Sequence, residues 1–154
     1  MDFNNLINEF ESKGWTVCLD DAAEWVDSRY SDLPSDLKEF LSSFKSIESP
    51  DGKEWFLSAY DFQQKLGTDF SSDEFEKMSL NAAQGDPEWQ KEIRGFWDKH
   101  LPFYMSVKNG YEYMAINLKT GKFVRGSGPE FEELIEISNS LSAAIESLAH
   151  RKEH

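Results

Sequence analysis

Apolar residues at helical spacing predict three helices in the N-terminal third of the chain. Phe3, Leu6, Ile7 and Phe10 lie at i, i+3, i+4 and i+7, so residues 2–13 read as an amphipathic helix that stops at Gly14. A second helix is predicted from a cap at residue 20 or 21 to about residue 29. A third is expected to open at residues 33–34 and to bury an apolar stripe over residues 37–44. The second and third helices should together form an α-hairpin.

The middle of the chain alternates between strand-like and helical patterns. Residues 15–19 and 54–58 predict short strands, the second following a turn at 49–52. Ser71 and Glu74 have the spacing of a capping box, and Asp86 followed by Pro87 predicts the start of another helix. The apolar spacing over residues 89–97 predicts that this helix buries two tryptophans, Trp89 and Trp97.

From residue 101 the apolar period changes to two, which indicates strands. Asn109-Gly110 predicts a hairpin turn, and a second turn at 119–122 leads to a third strand at Phe123. Apolar residues from Leu134 to Leu148 predict one long terminal helix that packs on the sheet. The fold class expected is therefore α+β. It is a single domain over residues 1–154, with an antiparallel β-meander sheet flanked by N-terminal helices, a helical insertion and a long C-terminal helix.

The composition favours a folded domain without recognisable reaction chemistry. With 39% apolar residues among 154, a sizeable core can form. The single cysteine, Cys18, excludes an internal disulfide, and three scattered histidines do not predict a zinc site. No nucleophile-elbow, phosphate-loop or zinc-protease motif is present. We therefore expect no catalytic residue, no cofactor and no metal, with His100 as a weak alternative for a lone general base.

Neither a membrane span nor a signal peptide is expected. No apolar run approaches the roughly 20 residues that a span needs, and the first residues lack a basic start and an apolar stretch. A cytoplasmic location is the expectation.

The charge is strongly acidic and unevenly distributed. The formal net charge is −13, which argues against direct binding of nucleic acid or of an anionic membrane. Residues 1–54 carry 13 acidic and 5 basic side chains, a net charge of −8, whereas residues 100–154 are close to neutral. Two interpretations stay open: a solvated surface that keeps the protein soluble, or a docking surface for a basic protein.

Under the docking interpretation, ten residues are predicted to contact the partner. They are carboxylates of the predicted α-hairpin and its exit loop, together with side chains of the sheet that an interface can use. Tyr104 and Glu112 are included because they fall on the less apolar phase of the meander and are expected to face outward. Trp55 lies on an apolar stripe and is either core or an interface anchor. The ten are Asp20, Asp21, Glu24, Asp27, Glu48, Asp51, Glu54, Trp55, Tyr104 and Glu112.

Four segments in order along the chain resemble the SUKH superfamily, in particular its Smi/Knr branch. They are LPSDLKEFL at 33–41, Trp55 in an apolar strand, LPF at 101–103 and GYEYMAINLKTG at 110–121. The resemblance covers about residues 21–148. Two segments depart from the family pattern: the run from 44 to 52, where the family has an Asn-Gly type of loop, and the long helical stretch from 70 to 97.

The resemblance implies an α+β fold with a central sheet and no catalytic motif. Many bacterial relatives look like immunity proteins, which neutralise a toxin by binding it, and fungal relatives resemble regulators of cell-wall synthesis. The expected function is thus a non-enzymatic binding protein for a basic toxin domain, with nucleases as a fitting class because they carry basic grooves. The alternatives are an intracellular scaffold or regulatory module of the Smi/Knr type, and an enzyme with an unrecognised carboxylate site.

Overall fold

A computed structural model describes residues 3–20, 23–25, 29–30, 32–63, 73–128 and 133–149. Over these ranges the chain forms six helices and seven strands, an α+β fold as predicted. The helices are α1 Phe3–Ser12, α2 Ser35–Leu41, α3 Ala59–Gln63, α4 Glu74–Ala82, α5 Pro87–Lys99 and α6 Leu141–Ala149. The strands are β1 Thr16–Cys18, β2 Ser46–Glu48, β3 Glu54–Phe56, β4 His100–Ser106, β5 Glu112–Asn117, β6 Phe123–Ser127 and β7 Leu134–Ser138.

All seven strands belong to one antiparallel sheet in which each strand pairs with the next along the chain. The predicted meander is therefore confirmed, and it is longer than the pattern indicated. The order leaves β1 at one edge and β7 at the other.

The strand register assigns side chains to two faces, because directly opposed residues share a face. One row on the first face runs Val17, Ile47, Phe56, Tyr104, Met114, Arg125 and Ile135. The matching row on the second face runs Thr16, Glu48, Trp55, Met105, Tyr113, Gly126 and Leu134.

Aromatic side chains from the helices cover different parts of the two faces. On the first face, Phe10 of α1 and Phe40 of α2 pack edge-on against Phe56, with ring centroids 5.5 and 5.7 Å away. On the second face, Phe75 of α4 and Trp97 of α5 pack against Tyr113 at 6.2 and 5.0 Å. The core is thus built from aromatic contacts on both sides of the sheet.

The first and third predicted helices are confirmed by their buried stripes. Leu6, Ile7 and Phe10 of α1 are buried as the spacing required. In α2 the buried residues are Leu37, Phe40 and Leu41. Pro34 occupies the cap position rather than the first helical turn. Helix α2 ends at Leu41, before the end of the predicted apolar stripe at residue 44.

The second predicted helix and the α-hairpin are wrong. Residues 23–25 are not helical, and residues 21, 22 and 26–28 lie outside the described part of the chain. The described side chains here make one local and one long-range hydrogen bond: Trp25 Nε1 donates to the Tyr30 carbonyl at 2.9 Å, and the Tyr30 hydroxyl donates to the Trp97 carbonyl at 2.7 Å. Both rings also pack against Phe62. These contacts anchor Trp25 and Tyr30 in the core.

The single long terminal helix is also wrong, because its first half is strand β7. Leu134 and Ile137 are three residues apart, which suits a helix, but β-branched residues at 135 and 137 also suit a strand, and β6 offers an edge to pair with. Ser140 then caps α6, since its hydroxyl accepts a hydrogen bond from the Ala143 N–H at 3.2 Å.

The middle of the chain gives mixed outcomes. Asp86 caps α5 as predicted, accepting from the Trp89 N–H at 3.1 Å. The prediction that this helix buries two tryptophans is wrong, because Trp97 is buried whereas Trp89 is 39% exposed. Ser71 lies outside the described residues. Among the described helices, none has the length and apolarity that crossing a membrane requires.

Candidate protein-binding surface

Of the predicted contact residues, Asp20, Glu24, Glu48 and Asp51 are exposed. Asp21 and Asp27 lie outside the described part of the chain, so their predicted role stays a prediction. Asp20 follows the edge strand β1, and Glu48 and Asp51 lie in β2 and in the turn that follows it. Asp20, Glu48 and Asp51 therefore lie near the β1 edge of the sheet, whereas the Glu24 carbonyl accepts a hydrogen bond from Gln63 Nε2 at the end of α3.

Glu54 and Tyr104 are buried, which corrects their prediction as surface residues. Glu54 is 2% exposed and Tyr104 0%. Phe56 lies directly opposite Tyr104, and Glu54 shares the face of Phe56, so Glu54 and Tyr104 are diagonal neighbours on the first face. The Tyr104 hydroxyl donates to Glu54 Oε1 at 2.6 Å, and Lys108 Nζ lies 4.0 Å from Oε2. The pair stabilises the core and does not offer a contact surface.

Glu112 is separated from the acidic edge. Its side chain is 26% exposed and lies on the first face, where Arg125 Nη2 approaches it at 3.2 Å. Glu48 and Trp55 lie on the second face, three and two strands away respectively. The structure thus places Glu112 on the face of the buried Glu54 and Tyr104 and away from the exposed predicted contact residues.

Glu48 and Trp55 lie directly opposite each other in the β2–β3 register. Glu48 is exposed, Trp55 is half-buried, and the exposed Thr16 of β1 continues the row beyond Glu48. The β2–β3 turn places exposed Asp51 at the end of the same two strands. We call these four residues, Thr16, Glu48, Asp51 and Trp55, the β1–β3 patch.

Hydrogen bonds fix Asp51 within the turn. The Ser49 hydroxyl donates to Asp51 Oδ1 at 2.6 Å, and the Lys53 N–H donates to the same oxygen at 3.1 Å. These two hydrogen bonds, of which the one from the Ser49 hydroxyl has the larger effect, lower the pKa of Asp51 below its usual range. Gly52 has a φ of 71°, a conformation that glycine adopts without strain, which makes the turn tight. Asp51 is therefore ionised at neutral pH and held in one position.

The exposed carboxylates around β1 carry uncompensated charge. Within the described part of the chain, no lysine or arginine nitrogen lies within 4.0 Å of the carboxylates of Asp20, Glu24 or Glu48. A basic partner can therefore pair with them without first breaking an internal ion pair.

Arg29 makes long-range ion pairs that sequence reasoning did not identify. Its guanidinium donates to both carboxylate oxygens of the buried Glu76 at 2.7 Å, and its Nε donates to Asp98 at 2.8 Å. The hydrogen bonds to Glu76 raise the pKa of Arg29. Arg29 thereby ties the segment after β1 to helices α4 and α5. No local motif marks such a contact, since 47 positions separate Arg29 from Glu76 along the chain.

The other candidate groups have structural surroundings. His100 is buried, its ring stacks on Phe96 with centroids 4.1 Å apart, and its Nδ1 lies 2.8 Å from the Phe96 carbonyl. Burial lowers the pKa of His100. Over the described ranges, no three histidine, cysteine or acidic side chains gather closely enough to hold a metal ion.

No family model, curated protein or solved structure matches this chain. The resemblance to the SUKH superfamily therefore rests on the four sequence segments and their order.

Proposed function

We propose that this protein binds and neutralises a basic toxin domain through the β1–β3 patch, as an immunity protein does, without catalysing a reaction. The observation that carries the proposal is the pairing of Glu48 with half-buried Trp55 beside fixed, ionised Asp51. A charged rim around a partly buried aromatic side chain is a common arrangement at protein interfaces.

The charges and the tryptophan serve different steps of binding. Uncompensated carboxylates attract a basic partner over about a Debye length, roughly 8 Å at physiological ionic strength, and so raise the association rate. Trp55 supplies apolar area once water has been excluded, which slows dissociation. Because Asp51 is already held by Ser49 and Lys53, little conformational entropy is lost on docking.

A nuclease is the toxin class that this surface fits best. Nucleases bind phosphate groups with lysine and arginine, and an inhibitor that presents carboxylates competes for the same cations. The net charge of −8 over residues 1–54 favours that competition.

The test is co-expression with the product of the coding sequence immediately upstream, followed by a growth assay and co-purification. The patch variant is Glu48→Lys with Asp51→Lys, and the matched control is Glu92→Lys with Glu146→Lys, two exposed residues of α5 and α6 that give the same change in net charge. We expect the wild type and the control to bind the toxin and restore growth, and the patch variant to do neither.

Equal rescue by the patch variant would contradict the role of the patch. An upstream product that is harmless to the cell, together with a housekeeping protein as the stable partner, would favour the scaffold interpretation instead.

A further inference from the structure

We propose that the β7 edge of the sheet pairs with β7 of a second copy of this chain, forming a reversible dimer. The observation behind this proposal is Ile135, which is 64% exposed, more than any other large apolar side chain among the described residues. Ile135 lies in the middle of an edge strand whose sequence, Leu-Ile-Glu-Ile-Ser, favours β-pairing.

Edge strands are usually protected from pairing by charged side chains. At β7 that protection is neutralised, because Glu136 pairs with Lys122 at 3.3 Å. On the neighbouring strands, Arg125 pairs with Glu112 at 3.2 Å. Two ion pairs therefore lie next to the exposed Ile135, and Glu133, just before the strand, adds one further acidic side chain, so the charge at this edge is close to balanced.

The charge distribution selects a second copy as the occupant. A basic or acidic partner gains little from a surface with balanced charge. Two copies of a chain with a net charge of −13 repel each other least where their local charge is weakest. Strands β1 to β3, which belong to the acidic N-terminal part, lie six to four strand spacings from β7, about 29 to 19 Å. These distances are roughly two to four Debye lengths at physiological ionic strength, so contact at β7 keeps the acidic parts apart.

One register satisfies the side chains of a two-fold pair. An antiparallel pairing centred on Ile135 places the two Ile135 side chains opposite each other on the first face, and sets Leu134 opposite the other copy's Glu136. A pairing centred on Glu136 would place two like charges directly opposite, which is unfavourable. The pairing that we propose is therefore centred on Ile135.

A strand of five residues is about 16 Å long. Its edge buries less than the roughly 800 Å² per partner of a stable complex. A concentration-dependent equilibrium between monomer and dimer is expected, and screening by added salt should favour the dimer because it weakens repulsion between two acidic copies.

Sedimentation velocity over roughly a hundredfold concentration range tests the proposal on the full chain. We expect the wild type to shift from monomer to dimer, and Ile135→Lys to raise the dissociation constant by at least about tenfold. Leu19→Lys is the control, because Leu19 is also an exposed apolar side chain, at 50%, but follows the opposite edge strand. The dissociation constant of this control should stay within about twofold of the wild-type value.

Ile135→Thr retains β-propensity while removing apolar area and should also weaken the dimer, with circular dichroism confirming the fold of each variant. A wild type that stays monomeric over the whole range would overturn the proposal. So would dimers of unchanged affinity in both Ile135 variants, or dimers that only Leu19→Lys disrupts. Toxin binding is not involved in these measurements, so their outcome is independent of the proposed function.

Discussion

Gly126 provides a test of the sheet packing that depends on a single methyl group. It lies on β6 directly opposite Tyr113 of β5. A Cβ atom at position 126 would lie 2.5 Å from the Tyr113 Oη, 2.6 Å from Cζ and 2.7 Å from Cε1. Such distances are far below van der Waals contact, so Gly126→Ala forces either the ring or the strand to move.

Tyr113 has little room to move. Its side chain is fully buried, and its ring packs against Trp97 at 5.0 Å and Phe75 at 6.2 Å. Overpacking a core costs about 1–3 kcal/mol, and contact with rigid ring atoms favours the upper part of that range. We expect Gly126→Ala to lower the free energy of unfolding by about 2–3 kcal/mol. For a chain of this length that corresponds to a melting temperature lower by about 6–9 °C.

Urea denaturation followed by circular dichroism measures this change, and Gly95→Ala is the matched control. Gly95 lies inside α5, and a Cβ atom there would meet nothing within 4 Å. Replacing glycine with alanine in a helix interior stabilises by about 0.5–1 kcal/mol, so the two variants should change stability in opposite directions. A Gly126→Ala protein as stable as the wild type would refute the packing of Tyr113 against β6.

Three further predictions concern buried polar groups. Arg29→Met removes three hydrogen bonds and leaves Glu76 buried without its cation, so the free energy of unfolding should fall by about 2–3 kcal/mol in urea denaturation. Tyr104→Phe removes the hydroxyl that donates to buried Glu54 and should cost about 1–3 kcal/mol by the same assay. Burial lowers the pKa of His100 in the folded protein, so the unfolded chain binds the proton more readily. The contribution of neutral His100 to stability is therefore complete above about pH 6.5, the ordinary histidine pKa. This contribution is lost as the pH falls towards the pKa of His100 in the folded protein. His100→Gln should therefore flatten the fall of melting temperature between about pH 7 and pH 5.

Lys77→Met is the control for Arg29→Met, because it removes an exposed ion pair with Asp73 and should change stability by less than about 0.5 kcal/mol. If Arg29→Met lowered the free energy of unfolding by no more than Lys77→Met does, Glu76 would not depend on the guanidinium. An unchanged stability for Tyr104→Phe would indicate that Glu54 has another sufficient donor. An identical acid dependence in the wild type and His100→Gln would mean that His100 titrates alike in the folded and unfolded states.

Sequence patterns predicted the elements whose signals are local. The stripe of α1, the cap of α5 at Asp86 and the meander through β4, β5 and β6 all follow from spacing within about 15 residues. The start of α3 is also marked by a local signal, since Ser58 and Asp61 form a capping box there. The Asp61 N–H donates to the Ser58 hydroxyl at 3.3 Å, and the Ser58 N–H donates to Asp61 Oδ2 at 2.9 Å.

The errors arose where distant contacts decide the structure. Tyr30 is held by Trp97 and Phe62, and β7 pairs with the edge that β6 offers. The candidate site shows the same division. Glu48 and Asp51 were predicted as exposed from their charge and turn position and are exposed. Glu54 looked equivalent to them, yet Tyr104, 50 positions further along the chain, satisfies its carboxylate in the core.

The central claim is that the exposed carboxylates of the β1–β3 patch, Glu48 and Asp51, guide association with a basic toxin. Stopped-flow measurement of the association rate at low and high salt, using the isolated partner, tests it most directly. Wild type and the Glu92→Lys, Glu146→Lys control should bind rapidly and slow steeply with salt, whereas Glu48→Lys, Asp51→Lys should bind at least about tenfold more slowly with a weak salt dependence. Equal rates and equal salt dependence for all three proteins would contradict the account.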